Sequence, residues 1–192
     1  MIQVRHGVFE TNSSSTHSIA VPKAAPVPKH LTFRVGEFGW EFDSVSPTDY
    51  FYTALYAIAT DRADAEDKVE RLRSILESNN IEYDFGEVSG QTYSDEQFGS
   101  WFSLSYGYID HGGELADFVE ELLNDEDKLL RFLSAGLVFT GNDNSSTEQR
   151  CFINRDRKVL TSYDWRNNKD IQVENPYYME DHEDYDWYYK GN

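Results

Sequence analysis

Residues 112–139, GGELADFVEELLNDEDKLLRFLSAGLVF, decide the fold class because two amphipathic helices are followed there at once by a strand. Apolar side chains recur at helical spacing on both sides of Asp125, which predicts one helix after Gly113 and a second helix capped by Asp125. Gly136 ends the second helix, and residues 137–139 are predicted to form a strand. Helix and strand therefore alternate within a single short segment.

The rest of the chain extends this mixed pattern. Ser46 before Pro47 is typical of a helix start, and charged and apolar residues alternate at helical spacing over 64–77. A hairpin is predicted over 31–42, and further short strands are predicted at 2–9, 18–21, 81–85, 101–108, 151–153 and 159–160. Four helices and about six short strands predict an α+β fold, with a mainly antiparallel sheet and helices packed on one side.

Domain organisation follows from length and from the composition of the C-terminus. The length of 192 residues suits one domain, which we assign to residues 1–173. Residues 174–192 form a tail in which acids are spaced among tyrosines and a tryptophan. Such a tail either packs on the domain or remains exposed to partners.

Bulk properties exclude several classes of protein. The net charge of −18 opposes direct binding to nucleic acid or to anionic membranes, because phosphate binding depends on Lys and Arg. No apolar stretch approaches the roughly 20 residues needed to span a bilayer. The single Cys151 excludes an intramolecular disulfide, and no signal peptide is evident, so we expect a cytoplasmic protein.

Charge is sorted along the chain. Residues 1–36 hold four basic side chains against one acidic side chain, a net +3, so the other 156 residues carry −21. The same N-terminal region contains a dense run of hydroxyl groups beside a histidine, at residues 13–18. This combination predicts a site for a polar ligand near the N-terminus.

Four segments resemble motifs of a family of uncharacterised proteins from bacteria and large bacteriophages. The most specific segment is Arg5 to Ser18, with the core VFETNSSSTHS; the others are 36–41 (GEFGWE), 108–111 (YIDH) and 140–144 (TGNDN). The resemblance covers most of residues 4–146. It implies that the polar positions in these motifs form a shared site, without naming the chemistry, a cofactor or an activity.

The predicted site takes its residues from these motifs. Hydroxyls and loop amides can cradle a phosphate or carboxylate, Arg5 can clamp the same anion, and His17 can exchange a proton near neutral pH. The alternative is a solvated turn in which these side chains satisfy their own backbone. The predicted catalytic residues are His17 and His111, and the predicted ligand-binding residues are Arg5, Glu10, Asn12, Ser13, Ser14, Ser15, Thr16, Glu41 and Asp143.

The segment around His111 has two interpretations. Asp110, His111 and Asp143 can form the far wall of the ligand site, and Glu114 with Glu37 or Glu41 adds oxygen atoms suited to a divalent metal. The ordinary interpretation is a helix N-terminus with Glu114 in its first turn. We favour that interpretation and predict no metal, because the segment lacks a recognised metal-ligand spacing.

Two functions remain open. The first is an enzyme or binding protein for a phosphate-bearing small molecule, a class that includes nucleotides. The second is an acidic, phage-type interaction protein whose tail imitates a nucleic acid and blocks a basic host protein, such as a defence protein. The clustered hydroxyls and histidine favour the first, because a charge mimic does not need them.

Overall fold

The computed structural model of the chain describes residues 15–39, 41–142 and 146–190. The helices are α1 (Pro47–Ala57), α2 (Arg62–Ser78), α3 (Ala116–Asn124), α4 (Glu126–Ala135) and α5 (Thr147–Ile153). The strands are β1 (Ser15–Pro22), β2 (His30–Phe33), β3 (Glu37–Phe38), β4 (Asp43–Val45), β5 (Glu82–Phe85), β6 (Gly90–Asp95), β7 (Gly99–Leu104), β8 (Tyr108–Ile109), β9 (Leu137–Asn142), β10 (Val159–Asp164), β11 (Lys169–Glu174) and β12 (Tyr185–Lys190). The predicted α+β fold is confirmed.

The main sheet has the strand order β12-β1-β9-β4, and every neighbouring pair in it is antiparallel. The register places Ile19 of β1 between Tyr188 of β12 and Val138 of β9. The predicted strand at 18–21 is therefore confirmed, but it begins earlier than predicted. The prediction of a loop through Ser15–His17 is wrong because β9 pairs with these residues along their whole length.

The two faces of this sheet are covered by different helices. Because side chains alternate along a strand, Val138 and Phe139 point to opposite faces. Val138 joins Ile19, Val21 and the apolar residues of α1 to α4 in the main hydrophobic core. On the other face, Phe139 packs edge-on against Phe152 of α5, with ring centroids 5.2 Å apart.

Helix α5 replaces a predicted strand. We predicted residues 151–153 to be extended, and this is wrong because the segment is helical from Thr147. Ser146 and Gln149 form a capping box that satisfies two backbone N–H groups at the start of the helix. Within this helix the apolar side chains of Cys151 and Ile153 are buried.

The predicted hairpin over 31–42 is also wrong. Strand β2 pairs in parallel with β5, and β3 pairs in parallel with β8, so neither strand has its chain neighbour as partner. Parallel pairing needs a long crossover, and α1 and α2 supply it between β2 and β5. The hairpins that do form are β6–β7 and β10–β11.

Helix boundaries follow their capping residues. The side chains of Ser46, Asp61 and Asp125 accept backbone hydrogen bonds at the starts of α1, α2 and α4 respectively. The predicted cap at Ser46 and the predicted cap at Asp125 are confirmed. Helix α1 is buried at every position from Tyr50 to Tyr56, so it runs through the core rather than along the surface.

The C-terminal segment packs on the domain. Strand β12 covers one side of β1, and Tyr188 packs against Phe118 of α3, with ring centroids 5.0 Å apart. The indole N–H of Trp187 donates to the carbonyl of His182, which fixes the turn before the strand. Residues 185–190 of the tail therefore pack on the domain, as a strand paired with β1.

Among the described residues, none of the helices combines the length and the apolar character needed to cross a membrane.

Candidate functional site

His17 lies at the centre of a buried polar cluster near the start of β1. Its side chain is 0 % exposed, and it points from the sheet towards α1. The Nδ1 atom lies 2.9 Å from the hydroxyl of Tyr50, and the Nε2 atom lies 2.9 Å from Oγ of Ser15 and 3.1 Å from the carbonyl oxygen of Asp110. Both ring nitrogens therefore have protein partners. We call Ser15, His17, Tyr50 and the Asp110 carbonyl the His17 cluster.

The hydrogen-bond network favours one tautomer of His17. With the proton on Nε2, the ring donates to the Asp110 carbonyl, while Tyr50 donates to Nδ1. The hydroxyl of Ser15 also donates to the Asp110 carbonyl oxygen, at 3.1 Å, so that oxygen accepts two hydrogen bonds. With the proton on Nδ1, the Nε2 lone pair would face the Asp110 oxygen. The Nε2–H tautomer avoids that repulsion.

Tyr50 acts as a hydrogen-bond donor because it is fully buried. Burial raises the pKa of the Tyr50 hydroxyl well above its ordinary value, since a phenolate would lose its hydration. The hydroxyl therefore keeps its proton and donates it to His17. Phe38 packs against the Tyr50 ring, with centroids 5.6 Å apart.

Gly39 allows the chain to pass close to the imidazole ring. Its φ of +109° is a conformation that L side chains rarely adopt. A Cβ atom at this position would lie 2.9 Å from Cε1 of His17 and 3.0 Å from Cβ of Asp110. Both the backbone conformation and the close approach therefore require glycine.

Asp110 contributes more than its carbonyl oxygen. Its Oδ2 atom is buried and has no hydrogen-bond partner among the described residues. A buried carboxylate oxygen without a donor is costly, and such groups in native proteins often mark a place for a ligand or for water. This atom lies at the edge of the His17 cluster, on the residue that precedes His111.

The structure brings His111 near the cluster but does not bury it. His111 adopts a left-handed conformation with φ of +55°, directly after Asp110. Its Nδ1 atom lies 3.4 Å from Oε1 of Glu114, and about a third of its side chain is exposed. The turn that contains Asp110 and His111 lies close to His17, because the Asp110 carbonyl oxygen is 3.1 Å from Nε2 of His17.

Other predicted site residues are distributed unevenly. Ser15 belongs to the His17 cluster, whereas Thr16 alternates to the opposite face of the sheet and is half-buried. Glu41 is exposed, and its carbonyl oxygen accepts a hydrogen bond from Thr140, the β9 residue opposite His17. Six predicted residues lie outside the described residues: Arg5, Glu10, Asn12, Ser13, Ser14 and Asp143.

Sequence reasoning missed Tyr50, Gly39 and the role of the Asp110 backbone. Tyr50 lies in an aromatic helix, where the hydroxyl looks like an ordinary part of the core. The only signal for Gly39 was its residue type, because glycine is the usual residue where the backbone is left-handed or approaches another group closely. The sequence could not point to the Asp110 carbonyl, because every residue has a backbone carbonyl group.

The cluster has limited chemical possibilities. Ser15 offers a hydroxyl held by His17, but His17 donates from Nε2 in the favoured tautomer and does not accept the serine proton. That arrangement fixes the start of β1 against the Asp110 turn better than it activates a nucleophile. Within residues 15–39, 41–142 and 146–190, no group of three His, Cys, Asp or Glu side chains is placed to hold a metal ion.

Comparisons with known proteins gave no match to a family model, to a curated protein or to a solved structure.

Proposed function

We propose that this protein binds a phosphate-bearing small molecule, with nucleotides as the first class to test, beside the His17 cluster at the start of β1. The observation that carries the proposal is the complete burial of a hydrogen-bonded histidine, tyrosine and serine next to an otherwise apolar core. Buried polar networks cost stability unless every member is paired, and they occur where a protein needs fixed polar geometry.

The position of the cluster in the chain supports an anionic ligand. Ser15 follows directly on the hydroxyl-rich N-terminal run, in the region of 36 residues that is positive within a chain of net charge −18. In this proposal Arg5 contributes the charge-assisted contact to phosphate, and the hydroxyls contribute neutral donors. The role of Arg5 rests on its chemistry and its place in the sequence.

The same geometry favours binding over catalysis. Both nitrogens of His17 have partners inside the protein, so the ring orients Ser15 and the Asp110 turn rather than exchanging protons with a ligand. About a third of the His111 side chain is exposed beside the Asp110 turn, and His111 is the residue that would exchange a proton if the ligand reacts.

Mimicry of nucleic acid by the C-terminal segment receives less support. A mimic presents aromatic rings to its partner. Tyr188 instead packs on Phe118, and Tyr177 packs on Phe152, with ring centroids 5.4 Å apart. These two rings are therefore used within the domain.

Thermal melting with a panel of phosphates tests the proposal. The panel contains inorganic phosphate, pyrophosphate, ribose 5-phosphate and the common nucleoside mono- and triphosphates. At least one compound should raise the melting temperature, since a ligand that binds only the folded state stabilises it. Arg5→Gln should abolish that rise, whereas Lys29→Gln, a matched loss of charge in the same region, should preserve it. The proposal fails if no compound shifts the wild type or if both variants lose the shift equally.

A further inference from the structure

A cavity of about 450 Å³ lies on the opposite side of α1 from His17. Helices α1 and α2 form two of its walls, and Phe85 of β5, Phe102 of β7, and Gly86 and Val88 from the loop after β5 line the remainder. Tyr50 and Tyr52 are two positions apart on α1, and so they point in roughly opposite directions. Tyr50 bonds to His17, and Tyr52 lines the cavity. The two sites are therefore separate.

Aromatic rings form the inner wall of the cavity. The rings of Tyr52 and Phe85 are stacked, with centroids 5.2 Å apart and an angle of 4° between their planes. Tyr56 and Phe102 continue the wall, with centroids 5.9 Å apart. Flat aromatic walls of this kind suit a planar ligand, because ring faces stack without demanding a particular substituent.

Charged residues of α2 form the rim. Residues 62, 66, 70 and 73 recur at helical spacing and therefore share one face of α2. The guanidinium of Arg62 lies 5.7 Å from the centroid of Phe102, and that of Arg73 lies 5.8 Å from the centroid of Phe85. Each arginine thus extends the aromatic surface with a second flat, stacking group.

Each arginine is also paired with a glutamate on the same helix. Arg62 lies 3.6 Å from Glu66, and Arg73 donates to Glu70. The two pairs cancel in charge, so the rim is neutral on a strongly acidic protein. The guanidinium groups keep further N–H donors and the carboxylates keep further lone pairs, so the rim can both donate and accept hydrogen bonds.

Tyr56 adds a polar group inside the cavity. Its hydroxyl donates to the Tyr52 hydroxyl, at 3.2 Å, which in turn donates to the carbonyl of Gly86, at 3.4 Å. In this chain of hydrogen bonds the Tyr56 hydroxyl acts as a donor, and its oxygen can still accept a hydrogen bond from a ligand. Burial raises the pKa of Tyr56, so the group stays neutral.

We infer that this cavity is a binding site for an uncharged planar nitrogen heterocycle of the nucleobase or nucleoside class. The ring packs against the aromatic lining and against the flat guanidinium groups that lie over Phe85 and Phe102, and the mixed donors and acceptors of its edge pair with the arginine and glutamate rim. The volume falls within the usual range of small-molecule pockets, roughly 300–1,000 Å³. The lining combines aromatic rings with four charged side chains and two tyrosines.

The charges argue for a nucleoside over a polyanion. The neutral rim offers no net attraction to phosphate, and the net charge of −18 repels it. A triphosphate should therefore bind no better than the nucleoside that it contains, and a single-stranded oligonucleotide should bind worse.

Isothermal titration with nucleosides and matched phosphates tests the inference. Adenosine, guanosine, cytidine and uridine are titrated into the full chain, each beside its 5′-triphosphate, with ribose 5-phosphate and a short single-stranded oligonucleotide as further ligands. At least one nucleoside should bind, and in the Arg5→Gln variant, which lacks the proposed phosphate contact of the His17 site, its triphosphate should bind no tighter. Ribose 5-phosphate lacks a base and a nucleoside lacks phosphate, so this test and the test of the His17 cluster fail independently.

Two variants assign the binding to the cavity. Phe85→Leu removes a stacking surface, and Arg73→Gln removes donors from the rim; each should weaken nucleoside binding by about tenfold. Arg71→Gln is the matched control, because Arg71 lies on the same helix but pairs with Glu120, at 2.9 Å, away from the cavity. It should leave the affinity unchanged.

Three results would overturn the inference. They are the absence of binding by every nucleoside, nucleoside binding that survives both cavity variants, and much tighter binding of an oligonucleotide or triphosphate that the cavity variants weaken. Arg73 is largely at the surface, so Arg73→Gln remains informative if Phe85→Leu lowers stability. Urea denaturation of each variant identifies any that fail to fold.

Discussion

At the scale of single residues, the hydroxyl of Tyr50 provides the sharpest test of the His17 cluster. Tyr50→Phe removes one oxygen atom and leaves the Nδ1 atom of His17 buried without a donor. A buried polar atom that loses its partner costs its full desolvation penalty, so the free energy of unfolding should fall by about 1–3 kcal/mol. Urea denaturation measures this change.

Tyr83→Phe is the matched control for that measurement. The Tyr83 hydroxyl also makes a hydrogen bond, to Glu77 at 2.7 Å, but the bond lies at the surface. Water replaces the lost partner, so the free energy of unfolding should change by less than about 0.5 kcal/mol. Equal effects of the two substitutions would contradict the picture of a sealed polar cluster.

Residue-scale prediction from sequence reached only part of this cluster. The adjacency of hydroxyls and a histidine singled out Ser15 and His17. Their partners come from α1 and from the turn before His111, more than 30 positions away in the chain. Such contacts depend on how elements pack, and a single sequence carries no direct signal for that packing.

At the scale of elements, local signals predicted helices better than strands. The caps at Ser46 and Asp125 are local hydrogen-bonding patterns, and both helices begin as predicted. Strand β2 has a parallel partner far along the chain, so the nearby glycines misled the prediction towards a hairpin. The short apolar run at 151–153 suits a strand or a helix equally, and the capping box of Ser146 and Gln149 decides for the helix.

Asn175 links α5 to the segment that precedes β10. Its buried amide nitrogen donates to the carbonyls of Cys151, Asn154 and Arg157, at 2.8–3.0 Å. Asn175→Asp would place a carboxylate oxygen against these three carbonyl oxygens and remove every donor. The free energy of unfolding should fall by about 2–3 kcal/mol, measured by chemical denaturation.

Gln172→Glu is the corresponding amide-to-acid change at the surface of β11. Gln172 makes a single exposed hydrogen bond, to Thr161 at 3.2 Å. Its replacement should alter stability by less than about 0.5 kcal/mol. If Asn175→Asp proved as mild as this control, the amide of Asn175 would not hold α5 in place.

At the scale of the whole molecule, the C-terminal strand is part of the sheet and not an appendage to it. A chain that ends at Asp184 lacks β12, which leaves β1 as an edge strand and removes the Tyr188 ring from Phe118. We expect a loss of several kcal/mol in the free energy of unfolding, with increased binding of a hydrophobic dye. A chain that ends at Lys190 should behave as the full chain does, and native stability of the shorter chain would contradict the expectation.

The pairing of β1 with β9 and β12 also fixes the order in which a growing chain can assemble. On the ribosome, α1 to α4 and then β9 are synthesised before β12, the second partner of β1. The helices can collapse together and β9 can pair with β1 early, whereas the other edge of β1 stays unpaired until β12 has been translated. This interval is the period in which the nascent polypeptide is most exposed to aggregation and most in need of a chaperone.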